Sequence, residues 1–474
     1  MASRITFPAV PSISAERTRI HELLERHGWN ASSFQILSSD FAYWFDGEEA
    51  CVAYVDTGRA WVAAGAPICA ADRLADTALK FVAEARRRRR RVSFFGTEAR
   101  FQSLVPFGQL YIGEQPVWDP RCWEQTVRGS PSLREQLRRA RAKAVAVREL
   151  LPAELADEGG RMRRELQALQ RRWIEACRLP AMRFLVQVEP FAFLDRKRCF
   201  LAEQHRAQVG LLVAVPVYER QGWLFEHLLR DARTPNGATE LLIDHAMRAV
   251  AEDGSAYVTL GLVPLAGPVA AALRFARFAG QGFYDFEGLR RFKTRLRPAR
   301  WTPIFLGVPR GDSRAVAVYD VLRAFAGKSL VRFGWDALWS KPPFLARLLA
   351  LSLVPWTGAL ALAGPRTWFP GTGVWLAWIA FDLGLIAALL RLARRWRRGL
   401  ARTLAGLVTA DAVVTLAEAI AYNLPRVTSA WQPAVAAVAV LGPSAAAVFL
   451  WHAVLGPEGR AVQPPASAQP PSTQ

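Results

Sequence analysis

Hydrophobic and polar positions divide this chain into two unlike parts. Up to residue 340, apolar residues come in short runs or at helical spacing. Beyond Pro343 they run on almost unbroken. Residues 15–28 carry Ile20, Leu23 and Leu24 on one face, which predicts a short helix. The segments SFQILS, FAYWF, ACVAYVD and AWVAAG follow, broken by Asp-Gly and Thr-Gly turns, and predict strands. Residues 72–91 predict a helix ending in six arginines, then VSFFG a strand, a short helix, and QLYIGEQPVWD another strand. Helices are predicted over 131–142 and 154–177. Strands FLVQV, CFLAEQ, GLLVAVPVYE and GWLFEHLLR come next, then a helix over 236–252 and the strand AYVTLGLVPLAG. A helix near 268–278, the strand TPIFLGVP and a helix over 313–326 close this part.

One echo stands out. GAPICAADRLADTALKFVAEARRRRRRVSFFG and RTPNGATELLIDHAMRAVAEDGSAYVTLG share the order turn, helix, strand, about 170 residues apart. This predicts two copies of one α/β unit, each on a mixed sheet, over 1–150 and 151–335.

The second part holds four apolar spans, at about 344–363, 373–390, 404–422 and 433–455. Each approaches the roughly 20 residues that a bilayer-spanning helix needs. The loop RLARRWRRGLAR holds six arginines, against one in each of the other two loops. The positive-inside rule then predicts a multi-pass protein of the inner (cytoplasmic) membrane. Its N-terminal part and tail face the cytoplasm. Asp382, Asp411 and Glu418 lie inside spans, where a charge is costly and turns toward other helices, for hydrogen bonding or for transport. The Pro/Ser/Ala/Gln-rich tail 457–474 reads as disordered.

Charge narrows the partners. The net charge is +20, of which +13 falls on residues 1–340, so the first part is basic in its own right. That suits nucleic acid, anionic lipid or both. The five cysteines form no CxxC pair and there is no HExxH, which argues against a disulfide framework or a zinc site. The N-terminus has no apolar stretch of the signal-peptide kind. No Gly-x-Gly-x-x-Gly or Walker loop occurs, so no nucleotide cofactor is expected.

Candidate chemistry centres on residues 223–245, WLFEHLLRDARTPNGATELLIDH. Arg230 ends a strand just before a Pro-Asn-Gly turn and a helix. A helix start offers unpaired N–H groups, and Arg230 adds a bidentate fork, so with Asn236 and Gly237 this can hold an anion. The alternative is an arginine that faces solvent. Arg134, Arg138 and Arg141 share one helical face, which either tracks a phosphate backbone or has no partner. Residues 283–301 carry Arg290, Arg291, Lys293, Arg295, Arg297 and Arg300. The arginine run 86–91 reads as a solvated face or an RNA contact.

The chain resembles the C-terminal catalytic domain of the bacterial aminoacyl-phosphatidylglycerol synthases, the lysyl- and alanyl-phosphatidylglycerol synthases of the multiple peptide resistance factor family. The resemblance covers roughly residues 30–310. It is carried by GAP at 65–67, IGE at 112–114 with Asp119, LREQLRRA at 133–140, LLR at 228–230, PNG at 235–237, LGLVPLAG at 260–267 and FEGLRRFK at 286–293. It implies a tandem acetyltransferase-like fold, and transfer of an aminoacyl group from aminoacyl-tRNA to a hydroxyl of phosphatidylglycerol or a related anionic lipid. It also implies functional roles for Arg230 and Lys293. Two departures stand out. The family's acid three residues before the arginine is His227 here, with Glu226 beside it. The membrane part follows the catalytic domain instead of preceding it.

An aminoacyl ester is already activated, so such an enzyme must position its substrates, supply a base and stabilise an oxyanion. Arg230 and Lys293 could hold phosphate or the oxyanion, and Glu226, His227 or Glu240 could be the base. Arg290 and Arg291 would meet the tRNA or the lipid headgroup. Two other classes fit the same residues: a membrane-bound acyltransferase with another donor such as acyl-CoA, and a non-catalytic module that docks RNA or anionic lipid.

Overall fold

The computed structural model describes residues 15–455 apart from 39, 177–182, 232, 271–273, 275–284, 328, 331–341, 365–367, 428 and 430. The chain forms two compact units, Met1–Phe333 and Gly334–Gln474.

The first unit is built on one twelve-stranded sheet. Its first half runs α1 (Ala15–His27), β1 (Ala42–Phe45), β2 (Cys51–Asp56), β3 (Ala60–Ala64), α2 (Leu74–Arg87), β4 (Arg91–Thr97), α3 (Ala99–Leu104), β5 (Gly108–Trp118), α4 (Trp123–Arg128) and α5 (Pro131–Ala142). Then come β6 (Val145–Leu150), α6 (Pro152–Ala156), α7 (Arg161–Ala176), β7 (Arg198–Gln204), β8 (Ala207–Val217) and β9 (Gly222–Arg230). The unit closes with α8 (Ala238–Glu252), β10 (Tyr257–Thr259), β11 (Val263–Pro264), α9 (Phe286–Arg295), β12 (Arg300–Val308) and α10 (Arg314–Phe325).

The strand order is β1-β2-β3-β4-β12-β5-β10-β9-β8-β7-β6, with β11 against β5. α2 links β3 to its parallel neighbour β4, and α8 links β9 to its parallel neighbour β10. This is the repeat heard in the sequence, one α/β unit occurring twice. The halves exchange their closing strands. β5 lies against β10, and β12 lies between β4 and β5. β6 falls before residue 151 and pairs with β7.

Apolar faces hold the helices to the sheet. Leu133, Leu137 and Ala140 of α5 and Ala238, Leu241, Leu242, Ala246 and Met247 of α8 share one core with Phe200, Leu212 and Phe225. Burying each large apolar side chain contributes about 1.5–3 kcal/mol. The opposite sheet face is covered by α1, α10 and the segment around Phe34 and Phe184.

Several predicted elements come out differently. SFQILS is a short 3-10 helix, because Phe34 and Leu37, three residues apart, both turn into the core. FLVQV is not a strand either; residues 184–186 form a 3-10 turn, and the Leu185 carbonyl accepts from the Gln35 side chain. The single helix over 154–177 is split into α6 and α7, where Asp157 closes a turn on Gly159 and Gly160. AYVTLGLVPLAG breaks into β10 and β11. Most of the helix near 268–278 lies outside the described residues, and the tail 457–474 lies entirely outside them.

The second unit has four long apolar helices, α11 (Pro342–Ala363), α12 (Thr372–Arg394), α13 (Arg398–Glu418) and α14 (Gln432–Leu455). α13 continues through a wider turn to Arg426, and all four spans are long and apolar enough to cross a bilayer. Arg391, Arg394, Arg398 and Arg402 lie in helix ends rather than in a loop. The acids make bonds between and within helices. Thr357 donates to Asp382 at 3.1 Å, Trp378 to Glu418 at 3.4 Å, and Thr415 to Asp411 at 3.1 Å.

Candidate active site

β9 carries the site because its pairing with β10 ends early, while β8 pairs with it throughout. β10 pairs with β9 only from Gly222 to Leu224, and the chain then leaves the sheet. Beyond Leu224 the two parallel strands diverge. The β8–β9 register also shifts, so that Val213 faces His227 and Ala214 faces Phe225, leaving Glu226 as the extra residue of a bulge. Phe225 and Leu228 pack under α5 and α8, while Leu224 and Leu229 pack on the other side. The bulge therefore lets consecutive residues share a face: Glu226 Oε2 lies 3.4 Å from His227 Nε2, with both side chains under 10% exposed.

Glu226 faces a cavity of about 30 Å³, enough for a water or two. Gln35 Nε2 donates to Glu226 Oε1 at 3.0 Å. Gln187 and Ser38 also line this cavity, and Gln187 Oε1 and Ser38 Oγ are buried without a hydrogen-bond partner among the described residues. Such atoms await a donor. Burial holds the His227 imidazole below its ordinary value, against the opposing pull of Glu226.

Lys293 sits on the far wall of the divergence. It is buried at 5% exposure, although its neighbours Arg290, Arg291 and Arg295 are not. Its Nζ donates to the carbonyls of Leu260, Gly261 and Leu262 at 2.7, 2.9 and 3.3 Å. All three ammonium hydrogens are thereby used, and the loop that leaves β10 is tied to α9. Burial pushes the Lys293 ammonium down to about 7, and the three carbonyls, which can only accept, oppose the loss of its proton.

Three sequence motifs meet here. β11 crosses to β5 at Gly113 and Glu114. A Cβ on Gly113 would stand 2.3 Å from the Val263 carbonyl oxygen, so only glycine allows the crossing. Arg290 reaches Glu114 at 2.8 Å and stacks over Trp301. IGE, LGLVPLAG and FEGLRRFK thus form one assembly.

LREQLRRA and PNG form a second. Gly237 starts α8 at φ +91°, and a Cβ there would stand 2.1 Å from the Gln136 carbonyl oxygen of α5. Asn236 is exposed beside it and Glu240 lies half-buried in the first turn. Arg230 ends β9 exposed, with no side-chain partner among the described residues. Six residues separate it from Leu224, or roughly 20 Å of strand. Among the described residues nothing brings Arg230 and Lys293 into contact.

A model for the family described as phosphatidylglycerol lysyltransferase, C-terminal, matches residues 21–307. The chain belongs to this family. Its fold is that of the C-terminal domain of a putative lysylphosphatidylglycerol synthetase from Agrobacterium fabrum, at 21% identity and a TM-score of 0.57, covering 66% of this chain and 98% of that one. It is likewise similar to L-PGS from Bacillus licheniformis, at 18% identity and a TM-score of 0.57, covering 67% and 98%. No curated protein sequence matches the chain.

The remaining basic candidates of this family member have partners inside the molecule. Arg138 pairs with Glu135 at 2.8 Å, Arg141 reaches the buried Asp244 at 3.3 Å, and Arg134 bonds the Arg128 carbonyl. Arg291 bonds its own helix at Glu287. The run 86–91 is largely paired as well: Arg87 and Arg88 with Glu84, Arg90 with Asp56, and Arg91 with Asp320. A larger cavity of about 410 Å³ lies at the other end of β9 and β10, lined by Trp29, Arg100, Arg220 and Tyr257. Arg100 and Arg220 stack on Trp29 and pair with Glu219 and Glu98, which makes them part of the fold, and Arg300 also lines the cavity.

Sequence reasoning missed Gln35, Gln187 and Ser38. Gln35 stands 191 residues from its partner Glu226, and nothing in its neighbourhood marks it. Glu114 is visible in the sequence only as part of a motif, with no role attached.

Proposed function

We propose that this chain is a membrane-attached aminoacyltransferase, moving an amino acid from aminoacyl-tRNA to a hydroxyl of phosphatidylglycerol or a related anionic lipid. The observation that supports it most is the buried bulge carboxylate Glu226, set where β9 and β10 diverge. Glu226 accepts the proton of the attacking lipid hydroxyl, and the new ester bond forms as the bond to the terminal ribose oxygen of the tRNA breaks. The proton then passes to that ribose oxygen. His227, whose imidazole burial holds below its ordinary value, stands beside Glu226 at 3.4 Å.

Lys293 acts as a positioning residue in this reading. It holds the 260–262 carbonyls and thereby one wall of the opening. Arg230, with the N–H groups at the start of α8 near Asn236 and Gly237, holds a phosphate of one substrate. Glu240 lies in that first turn. Arg290 and Arg291 face the same substrate from α9.

The test is transfer of a labelled amino acid from charged tRNA into extracted lipid by the full chain in membranes. Glu226→Gln and Arg230→Ala are each expected to lower transfer by roughly two to three orders of magnitude. Arg230→Lys should recover only part, since a point charge lacks the fork. Melting temperatures near wild type would show that the variants fold. Absence of transfer by wild type from a full set of aminoacyl-tRNAs would sink the reading, as would near-normal transfer by both variants.

A further inference from the structure

α10 departs from the usual pattern of a helix on a protein surface. Its sequence, RAVAVYDVLRAF, has charged side chains only at Arg314, Asp320 and Arg323. Its inner face is covered: Ala317, Val321 and Ala324 are buried in the core, and Asp320 takes a bidentate pair from Arg91 at 2.7 and 2.8 Å. The outer face should then be polar. Instead Val316, Tyr319 and Leu322, three residues apart, form one stripe at 38%, 48% and 51% exposure.

Cations border this stripe. Arg91 is tied to the helix itself, and Arg86 reaches Asp312, just before it, at 3.8 Å. The arginine run at the end of α2 therefore lies beside α10. Arg87 and Arg88 share one acid, and Arg89 has no side-chain partner among the described residues. Cations thus exceed acids along the border. Aliphatic side chains with a tyrosine, flanked by arginines, are the composition of a segment lying in the headgroup–acyl boundary.

The chain also brings a bilayer within reach. The first apolar helix begins at Pro342 and α10 ends at Phe325. Residues 326–341 span at most roughly 55 Å when fully extended.

We propose that the outer face of α10, with the 86–90 arginines at its rim, is a membrane-docking face. Its partner is the anionic headgroup–acyl boundary of the bilayer that holds the four apolar helices. The stripe enters the boundary and the arginines meet lipid phosphates. The inference rests on insertion of those helices and not on the transfer reaction.

The experiment uses the full chain in nanodiscs of phosphatidylcholine and phosphatidylglycerol, with Cys122→Ser and Cys177→Ser as background. An environment-sensitive fluorophore is placed at Tyr319→Cys, at Leu322→Cys, or, as a control, at Glu158→Cys on the exposed α6–α7 turn. Lipids carrying an acyl-chain nitroxide should quench the label at 319 and at 322 by about twofold or more. Emission at 158 should not change, and quenching should weaken in phosphatidylcholine alone. Quenching at 319 and 322 no greater than at 158 would overturn the proposal. So would labels shielded from aqueous iodide but untouched by the lipid nitroxide, which would mean that a second copy or another protein covers the stripe. Retention of the chain in the nanodisc reports helix insertion separately, and no step depends on transfer activity.

Discussion

Lys293 shows how one side chain can serve a site without touching a substrate. Its three N–H bonds fix the backbone where the sheet opens, and the residue itself is buried. The proton balance gives a test. The folded-state value is lowered to about 7 from 10.5. Between those pH values the unfolded chain binds the extra proton, so stability rises with pH across that window. Below about 7 both states are protonated and the charge-burial cost is present in full. Lys293→Met orphans three carbonyls and should lose the rise between neutral and alkaline pH, so its stability relative to wild type should fall as the pH rises. Melting the detergent-solubilised full chain at both ends of the window checks this. A variant whose stability climbs as steeply as wild type would show that Lys293 titrates elsewhere.

At the scale of elements, the site depends on contacts between segments that each form for local reasons. Ser130 caps α5 by accepting from Leu133 N–H, with Pro131 in the first turn. The apolar face of α5 then meets α8. Their closest approach is at Gly237, where a positive φ and the Gln136 carbonyl both exclude a side chain. Gly237→Ala should cost more than the roughly 1 kcal/mol of the backbone term alone, because the α5 backbone must also move. We expect a melting temperature lower by several degrees and reduced transfer. Gly254→Ala, at a positive φ with open space around it, should cost only the backbone term. Equal losses for the two would mean that the α5–α8 approach is not what requires the glycine.

At the scale of the whole molecule, charge sets two expectations. Arg295, Arg297 and Arg300 have no side-chain partner among the described residues, whereas Arg138 and Arg141 are paired. Reversing Arg295 and Arg297 should therefore weaken tRNA binding more than reversing Arg138. It should also flatten the salt dependence, by about one unit of slope for each phosphate that the variant no longer neutralises. Binding that is insensitive to salt in the wild type would contradict this. The second expectation is orientation. By the positive-inside rule, the arginines at the facing ends of α12 and α13 are expected to put that turn in the cytoplasm, and with four spans the first unit and the tail as well. Reporter fusions after residues 340 and 398 should both report the cytoplasm, and a signal from the other side at either position would refute the topology.

Periodicity alone marked most strands and helices, the repeated turn–helix–strand, and the four apolar spans, because these patterns arise among residues a few positions apart; it passed over α4 and β6. It failed at SFQILS and FLVQV, where short apolar runs fit a 3-10 turn as well as a strand and only the packing of Phe34 and Phe184 decides. The family motifs made Arg230 and Lys293 legible as candidates but said nothing of their separation. Tertiary structure alone decided that β5 and β12 change places, that a bulge turns Glu226 and His227 to one side, and that Lys293 lies inside. It also brought Gln35 to Glu226 across 191 residues. Burial and pairing of this kind depend on which distant segments pack together, and no local pattern of hydrophobic and polar residues records that.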